Sequence, residues 1–99
     1  MYEVVLAHEL RSRGIHVQRQ VSIPVRYENI QFDEGFRADL LVEQKVTVEI
    51  KSVEIDKRVH KKQVLTYLRL ADMRLGLLLN FGAELIRDGI TRLVNGLEE

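Results

Sequence analysis

Asp39, Glu49 and Lys51 are the residues whose types and spacing suggest chemistry. Two carboxylates with water suit Mg²⁺, a hard ion that takes few protein ligands and keeps positions open for phosphate oxygens. Such an ion neutralises charge on a phosphate and lowers the pKa of a bound water. A lysine beside it can orient or deprotonate that water and offset charge in the transition state. Asp39 and Glu49 would be the ligands for Mg²⁺ or Mn²⁺, and phosphodiester hydrolysis is the chemistry they would serve. Alone, the Glu-X-Lys triplet is weak. Lys51 pairing with Glu49 or Glu54 on a solvated sheet face would account for it equally well.

Whether these groups meet depends on two strands, Phe36 to Val42 and Val46 to Val53, around a short turn at Glu43-Gln44-Lys45. Period-two alternation puts Arg37, Asp39 and Leu41 on one face, with Ala38, Leu40 and Val42 on the other. On the next strand Thr47, Glu49 and Lys51 share a face, and Glu49 lies about 7 Å from Lys51 along it. If Val42 faces Val46, Asp39 falls opposite Glu49. That register needs an odd loop, or a two-residue turn with a bulge. The other parity sends Asp39 to the far face, and no site forms.

An amphipathic helix is predicted from Arg58 to Met73, with Val64, Leu65, Leu68 and Ala71 on its apolar side. His60, Gln63 and Tyr67, at i, i+3 and i+7, form a polar stripe beside it. Gln63 can hold a metal ligand or a phosphate oxygen, and Tyr67 can donate to the same group. They would also serve as a plain helix-rim pair, and His60 as a surface imidazole. Lys57, Arg58, Lys61 and Lys62 form a basic cluster at this end, either a solvated face or a phosphate contact.

The remaining segments frame that unit. Val5, Leu6 and Leu10 recur at helical spacing from Tyr2 to Arg13, and Gly14 sits where a glycine ends a helix. Ile15 to Tyr27 reads as a strand with an irregularity near Pro24, the only proline. Glu28 to Gly35 reads as a loop or turn. Arg74 to Phe81 is an apolar run fit for a strand buried on both faces. Asp88-Gly89 signals a turn before a short strand from Ile90 to Val94. A helix between two strand groups implies a crossover and at least one parallel pairing.

With 99 residues the expectation is one domain, 1–99. Apolar residues make up 45% and charged ones 30%, an ordinary globular mixture. No apolar run approaches the roughly 20 residues of a membrane helix, and no signal peptide is evident. The absence of cysteine excludes disulfides and thiolate metal sites. A cytoplasmic location is expected. Fifteen basic residues balance fifteen acidic ones, so any grip on phosphate must be local.

Five blocks together resemble a known family. They are Arg37-Ala38-Asp39-Leu40-Leu41-Val42; Val48-Glu49-Ile50-Lys51-Ser52-Val53; His60 with Gln63-Val64-Leu65-Thr66-Tyr67-Leu68; Gly76 through Gly82; and Ala7-His8-Glu9-Leu10-Arg11 through Gly14-Ile15 with Gln20. In this order they look like the GxxExxY proteins, small members of the PD-(D/E)XK nuclease superfamily. The resemblance implies an α/β (α+β) restriction-endonuclease-like αβββαβ core, a mixed sheet flanked by helices. It makes Asp39 the motif aspartate, Glu49 and Lys51 the Glu-X-Lys pair, and Gln63 and Tyr67 the supporting Gln-x-x-x-Tyr. It further implies a nucleic-acid substrate, with DNA expected ahead of RNA.

Two positions depart from the pattern. Tyr2 matches the signature tyrosine, so the first helix is expected to lack its N-terminal part, including the signature glutamate. Glu9 is the candidate to compensate, against a solvent-facing or structural role. Relatives also often carry glycine where Gln44 stands, and a glutamine at positive φ there costs of order 1 kcal/mol. Alternatives to an active nuclease are an inactive nuclease-fold module that binds nucleic acid, and an oligomerising domain whose uncovered apolar surface packs on a second copy as a homodimer.

Overall fold

The computed structural model describes residues 2–51, 57–82 and 89–96, apart from the side chains of Glu34 and Lys57. Helix α1 (Tyr2–Ser12) is followed by strands β1 (Val17–Tyr27), β2 (Ile30–Val42) and β3 (Val46–Lys51), helix α2 (Lys57–Leu70), and strands β4 (Leu75–Asn80) and β5 (Ile90–Val94). Among the described residues the strands form one sheet in the order β1-β2-β3-β4-β5. Only β3 and β4 are parallel, joined through α2; the other neighbours are antiparallel. This is the expected mixed α+β core. The expected ends at Ser52-Val53 and the Asp88 half of the Asp88-Gly89 turn lie outside the described residues. Among the described residues no helix is long and apolar enough to cross a membrane.

Both helices stop at left-handed residues. Gly14 has φ 82, Ile15 N donates to Leu10 O and Gly14 N to Arg11 O, the paired bonds of a Schellman cap. Asp72, at φ 55, closes α2 the same way through Met73 N to Leu68 O and Asp72 N to Arg69 O. The apolar stripe runs on to Met73, but the cap ends the helix at Leu70, three residues earlier than periodicity suggests.

The segment Glu28 to Gly35 is not a loop. Glu28 and Asn29 both have positive φ, 51 and 65, the pairing that a two-residue hairpin turn of matching twist demands. Strand β2 therefore begins at Ile30, and Tyr27↔Ile30 and Val25↔Phe32 pair across an arm. The register shifts between Ile23 and Val25, at Pro24, as expected of a residue that cannot donate to a ladder. Opposite it β2 carries extra residues, and Gly35 lies under Val25 where any Cβ would overlap that side chain.

Apolar clusters bury both faces. Ala7 of α1 packs with Val17, Leu40 and Val48, and with Val42, Val46, Ile50, Leu77 and Leu79 around them. Val64 and Leu68 of α2 pack with Leu78 and Leu93. Each of the fully buried leucines contributes roughly 1.5–3 kcal/mol. Strict alternation along β2 fails at one point. Leu40 faces α1, yet Ala38 clusters with Ile23, Leu41 and the α2-side residues Ala71 and Met73, and Phe36 stacks on Tyr67 of α2. The phase change falls at Asp39, where β1 has Gln20 at φ 53 between the pairs Arg19↔Leu40 and Val21↔Ala38. The left-handed residue twists the strand pair, so Ala38 is not on the face of Leu40 and Val42.

Candidate active site

The turn between β2 and β3 sets the register. Glu43 and Gln44 both have positive φ, 53 and 58, and Lys45 N donates to Val42 O at 3.0 Å. Val42 pairs with Val46, Leu41 with Thr47 and Leu40 with Val48, the parity that brings Asp39 beside Glu49. Beyond Leu40↔Val48 the two strands part. There Asp39 Oδ2 accepts the backbone N–H of Ile50 at 2.7 Å. One bond leaves a carboxylate with further lone pairs for another partner.

Lys51 Nζ lies 3.8 Å from Glu49 Oε2, both side chains largely covered. Burial and the charge of Asp39 push the Glu49 carboxyl from its ordinary 4.5 up to about 7, with Lys51 opposing them. The order of causes explains why an ion pair fails to keep Glu49 acidic. At 3.8 Å a single ammonium recovers less than desolvation and a neighbouring carboxylate take away. A half-buried pair of carboxylates short of positive charge is an arrangement that a divalent cation relieves.

A cleft of about 250 Å³ opens in front of these groups, lined by Gly35, Phe36, Arg37, Glu49, Lys51, His60, Gln63, Val64, Tyr67 and Leu78. Helix α2 supplies one wall. Gln63 Nε2 donates to Tyr67 Oη at 3.0 Å, and the Tyr67 ring stacks on Phe36 with centroids 4.7 Å apart. Sequence-derived candidates Glu49, Lys51, His60, Gln63 and Tyr67 thus share one cleft, with Asp39 behind Glu49. Arg58, Lys61 and Lys62 are exposed on α2 and do not line it; the side chain of Lys57 lies outside the described residues. Glu9 is elsewhere. Helix α1 covers the other face of the sheet, and Glu9 pairs with Arg13 at 3.7 Å in solvent. A second cavity, of about 440 Å³, lies at the other end of the parallel strands and contains none of these residues.

Gly35, Phe36 and Arg37 are cleft residues that sequence reasoning did not single out. Arg37 shares the alternation phase of Asp39, which could have flagged it; Gly35 carries no comparable signal, because its role depends on the bulge.

A profile of the PD-(D/E)XK nuclease superfamily matches residues 1–93. The chain belongs to the PD-(D/E)XK nuclease superfamily. No curated protein and no solved structure matches it. The sequence holds Ala38-Asp39 on β2 and Glu49-Ile50-Lys51 on β3. PD-(D/E)XK nucleases generally use divalent metal ions and act on nucleic acid. Among the described residues no group of three or more His, Asp or Glu side chains is gathered for a metal; the neighbouring carboxylates Asp39 and Glu49 form a set of two. That set fits Mg²⁺, which is commonly held by one or two carboxylates with water and substrate phosphate completing the shell.

Proposed function

We propose that this protein is a Mg²⁺- or Mn²⁺-dependent nuclease that hydrolyses phosphodiester bonds. The observation that carries the reading is the convergence of Asp39, Glu49 and Lys51 where β2 and β3 part. Asp39 and Glu49 would hold the ion, which supplies charge neutralisation at the phosphate and an acidified water. Lys51, fixed beside Glu49, is placed to orient that water and to offset charge on the phosphate. Gln63, tied to Tyr67, positions a ligand from the α2 side, and Arg37 and His60 can donate to non-bridging phosphate oxygens. The blocks around these residues also support membership of the GxxExxY group.

The test is cleavage of labelled single- and double-stranded DNA and RNA with Mg²⁺, Mn²⁺ or chelator. Metal-dependent cleavage lost in Asp39→Ala and Lys51→Ala is expected. Salt-dependent binding without cleavage under any of these conditions would instead select an inactive nucleic-acid-binding module.

Self-association is a second reading, favoured by the β1–β2 arm. Tyr27, Ile30 and Phe32 lie on one face of it and are 57, 56 and 47% exposed. Light scattering checks it: a dimer that Phe32→Ser returns to monomer supports the arm as its contact, and a monomer at all concentrations removes the idea.

A further inference from the structure

Two ring stacks occur among the described residues, and only one belongs to the cleft. The other joins Tyr2 of α1 to Phe81, just past β4, with centroids 4.5 Å apart and planes within 6°. Phe81 N donates to Lys51 O at 2.7 Å, which fixes the ring one strand spacing from the backbone of the site lysine. Gly82 N donates to Asn80 Oδ1 at 2.9 Å and holds the turn that presents the ring. Both rings remain open to solvent, Tyr2 at 48% and Phe81 at 36%. A pair serving only to fasten α1 to the sheet would gain more by burial.

The basic residues give the same end of the sheet a second property. Helix α2 starts just beyond the end of β3, has no acidic residue in its first turn, and carries Arg58, Lys61 and Lys62 in its first two turns. Basic side chains that track a backbone, together with rings on which bases lie, are the parts of a single-strand binding surface. Here they flank Lys51, the basic turns on the α2 side and the rings on the α1 side.

We propose that the Tyr2–Phe81 pair is a base-stacking platform for an unpaired nucleotide, making single-stranded nucleic acid the preferred ligand. The inference rests on the nuclease reading for its ligand, but not on catalysis. A base inside a duplex has both faces covered by its neighbours, so only an unpaired or frayed nucleotide can lie on the rings.

Fluorescence anisotropy with a single-stranded deoxyoligonucleotide and its duplex, in chelator, tests the proposal apart from cleavage. The wild type is expected to bind the single strand more tightly. Phe81→Leu should weaken that binding by about 5- to 150-fold and move duplex affinity less than twofold; Phe81→Trp should restore it. One abasic position in the strand should cost the wild type a similar factor and the leucine variant little. Circular dichroism melts establish that each variant is folded. Equal single-strand affinity in folded Phe81→Leu and wild type, or equal losses on both ligands, overturns the platform. Asp39-dependent cleavage together with a neutral Phe81→Leu would sink the platform alone, while Phe81-dependent binding without cleavage under any metal would sink the catalytic reading alone.

Discussion

Asp39 Oδ2 takes the backbone N–H of Ile50 at 2.7 Å at the point where β2 and β3 cease to pair. The side chain replaces a ladder partner, so one carboxylate both closes the fork and faces Glu49. The two roles separate by substitution. Asp39→Ala leaves the Ile50 N–H unpaired in a partly buried place and should cost about 1–3 kcal/mol. Asp39→Asn keeps an acceptor oxygen and should lose less than half of that, yet remove a charged metal ligand. Urea denaturation and Mn²⁺ titration calorimetry of the two variants check this. Equal stability losses would mean that the Ile50 bond contributes nothing.

Glu49 makes metal-free stability depend on pH. Its folded carboxyl sits near 7 against an ordinary 4.5. Between those values the folded protein holds a proton that the unfolded chain releases, so stability falls as pH rises through this window and levels off above it. The fall should be on the order of 2 kcal/mol. Glu49→Gln should flatten the curve. Denaturation midpoints from pH 4 to 8 in chelator measure both.

The element order and the end of α1 at Gly14 were legible because their signals are local. The hairpin parity was open in the sequence, and the turn at Glu43-Gln44-Lys45 decides it by pairing Val42 with Val46. What sequence reasoning missed was set by backbone conformations carried on ordinary residues. Glu28, Asn29 and Asp72 are left-handed without glycine, so the arm read as a loop and α2 ran too long. The face of Ala38 changed because Gln20, remote in sequence, twists the strand beside it. Glu9 faces solvent beside Arg13, the reading that the sequence offered against a role at the site.

Gln44 is strained. At φ 58 a glutamine pays the steric cost of the left-handed region, and its amide gains only an exposed bond to Gln18 at 2.7 Å. Gln44→Gly should therefore stabilise by about 1 kcal/mol. Glu43, at φ 53, differs because its carboxylate accepts from His16 N at 3.2 Å, and Glu43→Gly should gain less. Thermal melts of both variants decide, and a destabilised Gln44→Gly would contradict the strain.

Gly35 is a packing requirement at the cleft rim. A methyl group there overlaps Val25, a stiff β-branched side chain. Gly35→Ala should cost about 1–3 kcal/mol and loosen Phe36 against Tyr67, lowering activity more than binding of a long strand. Gly35→Ala with Val25→Ala should recover most of the stability. If the single variant melts like the wild type, the contact is not tight.

Lys51 holds the Glu49 carboxyl down, acting against burial and Asp39. Lys51→Met removes that cation while keeping much of the apolar stem. Glu49 should then titrate above 7, and metal binding, which needs the carboxylate, should begin at higher pH. In the wild type, Mn²⁺ affinity should climb toward pH 7 and then level; in Lys51→Met the rise should move upward by a fraction of a unit or more. The displacement distinguishes two roles for the lysine. A group acting only on substrate would lower the cleavage rate and leave the pH at which metal binds unchanged. Calorimetric Mn²⁺ titrations from pH 5.5 to 8.5, without substrate, read the difference directly. Superimposable curves would show that Lys51 does not govern the charge of Glu49.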